Sequence, residues 1–143
     1  MKPKMTIPEI HDFLDKEFPQ MKGAFEVLEL EPRRLKLRMK ITEENLRPGG
    51  TVSGPAMFTA ADCAYYIATL AMIGPEALAV TTGCSINFMR KPEPTDLIAE
   101  ARVMKLGKVL SVGDVMLYSE GMDEPVAHAH LTYSIPKPRQ ILG

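Results

Sequence analysis

An α+β domain, with an antiparallel sheet wrapped around one long central helix, is the fold this sequence predicts. Two observations predict it. Between Gly54 and Gly74 the only charged residue is Asp62, and Gly54-Pro55 and Gly74-Pro75 bracket the stretch. Beyond residue 23, most other segments alternate apolar and polar residues, the period-two mark of half-buried strands. At 143 residues the chain is one domain's worth, long enough to bury a core, and we read 1–143 as a single domain.

Taken in order, residues 1–5 are expected to fray. Thr6 to Met21 reads as an amphipathic helix, with Ile10, Phe13, Leu14 and Phe18 at helical spacing and Pro8 in the first turn. Pro19 and Gly23 close it, and His11 is expected on its exposed side. From 24 to 31 and from 34 to 41 the pattern alternates. Leu35, Leu37, Met39 and Ile41 point one way, and Arg34, Lys36, Arg38 and Lys40 the other. That is a hairpin turning near Glu31-Pro32-Arg33, with a solvated basic face. Residues 42–53 read as a loop feeding a glycine-rich helix start.

The central helix starts at Gly54-Pro55, because proline suits a first-turn position where its missing N–H would be unpaired anyway. Ser53 is placed to cap it. Gly74-Pro75 stops it. Its apolar residues cover nearly the whole circumference, so the helix is expected to be enclosed. A membrane span is the competing reading. It is disfavoured by Asp62 near the midpoint, by the few flanking basic residues and by the strands that follow. These strands are read at 78–89, with Gly83 marking a bulge or close backbone approach, then at 97–106, 109–119 and 126–135. The proline-bearing tail PKPRQILG ends the chain. The order helix, two strands, helix, four strands fits a meander curled over one helix, with faces or edges left for an oligomer to cover.

Composition narrows the function. Seventeen basic and eighteen acidic residues give a net charge of −1, which offers nothing to nucleic acid or an acidic membrane. Two cysteines, Cys63 and Cys84, make no disulfide framework. The start, MKPKMTIPEI, lacks the apolar core of a signal peptide, so a cytoplasmic location is expected. Ten methionines and no tryptophan suit an adaptable apolar interior.

Asp62 carries the chemical argument. A carboxylate on an apolar helix is costly unless paired or protonated. One reading is a structural acid satisfied by a hydroxyl or by backbone, and the other is a functional acid. The adjoining glycine loop favours function, because a helix N-terminus with free N–H groups can hold an oxyanion. Gly54 can donate such an N–H, and Pro55 cannot. The two positions are eight residues apart, about 12 Å along one helix. Cooperation on one carbonyl therefore calls for the helix end of a partner subunit, and a site shared in a dimer is expected.

The stretches RPGGTVSGPAMFTAAD (47–62), SINFMRKPEPTDLIAEARVMKLGK (85–108) and VAHAHLTYSIP (126–136) resemble the hotdog-fold acyl-CoA thioesterases. The similarity is to the phenylacetate-pathway (PaaI-like) branch, related to the 4-hydroxybenzoyl-CoA thioesterases. It runs from about Leu46 to Ile135. The family's loop and helix read Asn-x-x-Gly-x-x-His-Gly-Gly, with an acid seven residues on. The resemblance implies that Asp62 acts as general base or nucleophile on an acyl-CoA thioester, with no cofactor. It implies that the Gly54 N–H polarises the carbonyl, and that Thr81, or its neighbour Thr82, orients the water. Here Arg47 stands for the Asn, Ser53 for the His and Pro55 for the second glycine. These three positions, with Asn87, Arg90 and Lys91, are the expected substrate and coenzyme A contacts. Lys108 is a further strand-end cation of the same kind. A homodimer or homotetramer is implied, with sites at the subunit interface.

Other features are weighed against this. Cys63 reads as a small buried hydrophobe rather than a nucleophile, because no histidine is evidently paired with it. His128 and His130 share a strand face without a recognisable third metal ligand, so no metal is expected. The changes at 47, 53 and 55 motivate a second reading, a hotdog protein that binds acyl-CoA or an apolar ligand without turning it over. Hydratase chemistry is a weaker third reading, since it generally pairs a histidine with the acid.

Overall fold

The computed structural model describes residues 2–136; the tail from 137 onward lies outside the described residues. Helix α1 spans Ile7–Glu17. Thr6 caps it through a reciprocal box with Glu9: the Glu9 N–H donates to Thr6 Oγ1 at 3.3 Å and the Thr6 N–H donates to Glu9 Oε1 at 3.1 Å. The helix stops four residues earlier than the periodicity predicts, because Pro19 forces Phe18 out of the helical region. Phe18 sits at φ −130° and ψ 60°, and Pro19–Met21 form a separate 3-10 turn. The expected fraying of the start is also corrected. The Lys4 N–H donates to the Ala71 carbonyl at 2.7 Å, and Met5 is buried. This ties the N-terminus to one of the last-turn carbonyls of the central helix, which have no partner within the helix.

Strands β1 (Phe25–Glu31) and β2 (Arg34–Met39) form the expected hairpin, with Arg33 at φ 61° in the turn. The loop at 42–53 is more ordered than read from sequence. It holds a 3-10 turn at Glu43–Asn45 and a miniature hairpin of β3 (Leu46–Arg47) and β4 (Thr51–Val52). Helix α2 is Gly54–Ile73. Strands β5 (Val80–Phe88), β6 (Leu97–Leu106), β7 (Leu110–Ser119) and β8 (Ala127–Ser134) complete the chain.

The six long strands form one antiparallel sheet in the order β1-β2-β6-β7-β8-β5. The expected meander therefore holds only for β6, β7 and β8. Strand β5 instead takes the far edge beside β8, and β2 pairs with β6. The reason lies in the path of the chain: β5 runs back along α2, with Thr81 against Asp62 and Phe88 against Gly54. That places it on the helix's flank, away from β6.

The core lies between α2 and the concave face of the sheet, where Leu37, Leu97, Leu117 and Leu131 are fully buried. Each such side chain contributes about 1.5–3 kcal/mol of apolar burial. By length and composition α2 passes as a membrane span, but it is packed inside the sheet here. A buried polar knot fixes its rotation: Ser111 Oγ lies 2.8 Å from Tyr65 Oη and 3.0 Å from Thr69 Oγ1. Tyr65 packs against Gly113 of β7, where a Cβ would stand 2.5 Å from Tyr65 Cε1 and clash with the Arg102 carbonyl oxygen. The helix is not enclosed all round, as its composition predicts. Pro55, Phe58, Thr59, Asp62 and Cys63 form an open stripe, with Phe58 40% exposed. The stripe faces the β5 edge, where Phe88 is 53% exposed.

The convex face carries the polar side chains. Arg34, Lys36 and Arg38 on β2 stand opposite Glu31, Glu29 and Glu26 on β1. Arg38 pairs with Glu26 at 3.2 Å and with Glu120 at 3.0 Å. Such exposed pairs contribute about 0–1 kcal/mol each.

Candidate active site

Asp62 sits two turns into α2, on its open stripe. Two hydroxyls converge on the same carboxylate oxygen. Thr81 Oγ1 donates to Asp62 Oδ1 at 2.6 Å, and Tyr133 Oη lies 2.6 Å from Oδ1 and 3.0 Å from the Asp62 carbonyl oxygen. The single Tyr133 proton goes mainly to the carboxylate, the stronger acceptor. Each donor is fixed from the sheet. The bulge between Thr81 and Gly83 turns the Thr81 side chain inward. Tyr133 sits opposite Thr81 on β8, only 3% exposed, with its ring 5.6 Å from Tyr65 and 6.1 Å from Tyr66. Burial, and then the hydrogen bond to Asp62, raise the Tyr133 phenol well above its ordinary value, so it remains a donor. Among the described residues no group donates to Oδ2. The carboxylate is thus held through one oxygen, Oδ1.

Asp62, Thr81 and Tyr133 line a cleft of about 710 Å³ between α1, α2 and the start of β5. Its walls are largely apolar: Leu14 from α1, Phe18 just past the end of α1, Phe25 from β1, and Tyr66 and Ile67 from α2. Cys63 also lines it. Its thiol is pushed up to about 12, first by burial and then by the neighbouring Asp62 charge. A thiol held so high is no nucleophile at neutral pH.

The other sequence candidates fall in several places. Gly54 is the first residue of α2. An added Cβ there would meet Phe88 Cζ at 3.6 Å. Its N–H is one of the first-turn donors that no helix carbonyl satisfies. Ser53 caps this turn, accepting from the Ala56 N–H at 3.2 Å. Pro55 is exposed beside it. Arg47 is exposed on β3, and its carbonyl accepts from the Gly50 N–H at 3.0 Å. Asn87 lies on the convex face opposite His128, away from the cleft. Arg90 is tied to the end of the sheet, with Nε 2.7 Å from Glu124 Oε2, while Lys91 beside it is exposed. Thr82 is exposed, and its hydroxyl donates to the Thr132 carbonyl at 3.3 Å.

Two residues to which the sequence reading gave no part in the site enter here. Tyr133 completes the cradle of Asp62. The signal was a tyrosine on the inward phase of the last strand, because a buried phenol needs a partner. His11, expected to be exposed, bridges α1 to the sheet, and its Nε2 accepts from the Val27 N–H at 3.2 Å. On the convex face, His128 Nε2 lies 3.0 Å from Asp114 Oδ2, and Arg102 binds the same carboxylate through Nε at 3.2 Å and Nη2 at 3.1 Å.

A single sheet curled over a long helix that carries a hydroxyl-cradled acid defines a hotdog domain of the thioesterase type. Residues 49–126 match the Thioesterase superfamily, more than half of the chain, and the chain belongs to that family. A candidate thioesterase from a Silicibacter species is similar at 48% identity, with a TM-score of 0.88 over 95% of each chain. Two more distant structures share the fold. One is a mutant of the phenylacetic acid degradation protein PaaI from Thermus thermophilus, 23% identical, with a TM-score of 0.70 over 82% of this chain and 99% of that one. The other is smu.793 from Streptococcus mutans bound to acetyl CoA, 21% identical, with a TM-score of 0.70 over 81% of this chain and 91% of that one.

Proposed function

We propose that the protein hydrolyses an acyl-CoA thioester to the free acid and coenzyme A. The observation that carries this is the Asp62 carboxylate, held through Oδ1 by Thr81 and Tyr133 in the wall of a largely apolar cleft. Membership of the Thioesterase superfamily supports thioester hydrolysis. The acetyl CoA bound to the Streptococcus mutans fold relative supports coenzyme A as the carrier.

In this reading Asp62 Oδ2 takes a proton from water, and the resulting hydroxide attacks the thioester carbon. Direct attack by the carboxylate is the variant path. The oxyanion forms against the Gly54 N–H, and collapse expels the coenzyme A thiolate, which takes up a proton. Gly54 and Asp62 of one chain are about 12 Å apart along the helix, so the donor is Gly54 of a second subunit. The open stripe of α2 and the exposed inner side of β5, with Phe58 and Phe88, form the surface that a homodimer covers. Arg47, Arg90 and Lys91 are the cations for the nucleotide phosphates.

The experiment is a thiol-release assay over an acyl-CoA panel, from short chains to long and including phenylacetyl and benzoyl esters. Asp62→Asn should fold as the parent does and lose hydrolysis by about 100-fold or more. A folded Asp62→Asn variant with parental turnover would remove Asp62 from the mechanism. A second reading, binding without turnover, is favoured by one observation: Ser53 stands at the family's histidine position and its side chain is spent on capping α2. Coenzyme A esters that raise the melting temperature while releasing no thiol would select that reading.

A further inference from the structure

We propose that the substrate carries a long apolar acyl chain, that this chain lies in the cleft beneath α1, and that Leu14 gauges its length. The inference rests on the thioester-hydrolysis reading above and adds the substrate class and the residue that selects it.

Asp62, Thr81 and Tyr133 themselves line the cleft, so whatever fills it lies beside the group that those residues address. Its volume of about 710 Å³ falls within the roughly 300–1,000 Å³ of sites for drug-sized ligands. An acetyl group would leave most of it empty. Protein interiors are otherwise packed nearly to crystal density, so an apolar hollow of this size beside a packed core is a place for an apolar occupant. Leu14, Phe18, Phe25, Tyr66 and Ile67 supply no charge to hold a polar chain. The walls are also set. Phe18 meets Tyr66 edge-on at a centroid distance of 5.7 Å, and His11 ties α1 to β1 through the Val27 N–H. The charged groups Asp15 and Lys22 also border the cleft, and their polar ends can stay in water while their stems flank the chain.

Helix α1 lies outside the stretch at 49–126 that matches the family. This wall is therefore supplied by a part of the chain outside the matched stretch. Leu14 lies in the last turn of α1, lines the cleft together with Phe18 just past the helix end, and is only partly buried. A larger side chain there shortens the cleft.

The test compares kcat/KM for decanoyl-CoA and acetyl-CoA in the parent and in Leu14→Trp, together with calorimetric binding of decanoic acid. The parent should favour decanoyl-CoA by on the order of tenfold or more, and Leu14→Trp should erase that preference, as loss of methylene contacts in an apolar pocket does. Decanoic acid binding should weaken by at least about tenfold in the variant. Ala77→Phe, which enlarges another residue of the cleft wall, replaces Leu14→Trp should that variant fail to fold. A parent that hydrolyses both esters equally, or a folded variant with an unchanged preference, would overturn the assignment. No thiol release from any ester, with decanoic acid binding still sensitive to Leu14→Trp, would overturn hydrolysis and leave the apolar-chain site standing. Neither release nor binding would overturn both.

Discussion

Tyr133→Phe isolates the cradle of Asp62. The substitution removes one hydroxyl and leaves the ring, which is 3% exposed and packed 5.6 Å from Tyr65 and 6.1 Å from Tyr66. No cavity opens, so the effect belongs to the hydrogen bond. That bond, at 2.6 Å to Oδ1, is one of two on the same oxygen. A bond to a charged group contributes about 1.5–3 kcal/mol. The lower end applies here, because Asp62 is only half-buried and Thr81 remains. About 1.5 kcal/mol corresponds to a little over tenfold in rate. Expressed in kcat for the best acyl-CoA, with KM held, this is the expected loss. Denaturant unfolding should show a loss of at most about 1.5 kcal/mol. Thr81→Val should behave alike. The double variant should depart from additivity by at least about 0.5 kcal/mol, because both donors share one acceptor. A Tyr133→Phe enzyme with kcat within twofold of the parent and unchanged stability would refute the cradle.

Two stability predictions follow from elsewhere in the fold. Gly113→Ala sets a methyl against the Arg102 carbonyl oxygen and 2.5 Å from Tyr65 Cε1; backbone cannot yield as a flexible side chain does, so a loss of about 1–3 kcal/mol or more is expected, and calorimetry should show a melting point lower by at least about 2–4 °C. Asp114 is subject to burial, which works to raise its pKa, but the hydrogen bonds from His128 and Arg102 outweigh this and hold it below the ordinary 3.8. Its pairing therefore stabilises the fold above the unfolded-state value and is lost as pH falls through the depressed one. The stability gap between parent and Asp114→Asn, no more than about 1 kcal/mol on this solvent face, should be present at pH 7 and close once the pH is well under 3.8; urea titrations at both pH values check it.

Much of the fold was legible because local signals and global packing agree. Gly54-Pro55 and Gly74-Pro75 mark α2, and the alternation of Leu35, Leu37 and Met39 against Arg34, Lys36 and Arg38 marks both the strand and its inner face. Partner choice was not legible. Apolar and β-branched content marks β5 as a strand, but it holds no information on which strand lies beside it, and the preference for sequential neighbours misdirects here. The composition of α2 hid its open stripe, since alanine, phenylalanine and proline look alike whether they are covered by the same chain or left for another. At the candidate site, Asp62 stood out as a lone charge. Tyr133 did not, because its partner is 71 residues away in sequence. The cleft was equally hidden, as it exists only where α1 folds back over α2 and β5.

The bulge in β5 also constrains how this gene can change length. On one side of Thr82 the strand is read in one phase, with Thr81 inward; on the other it is read in the opposite phase, with Cys84, Ile86 and Phe88 inward. Thr82 is the exposed spacer between the two phases. Substitutions there cost little, yet losing that one codon would straighten the ladder and force a choice. Either Thr81 turns away from Asp62, or the five residues after Gly83 exchange faces. Drift at this position is therefore free in identity and barred in number, the reverse of what an exposed threonine near a strand end would ordinarily imply.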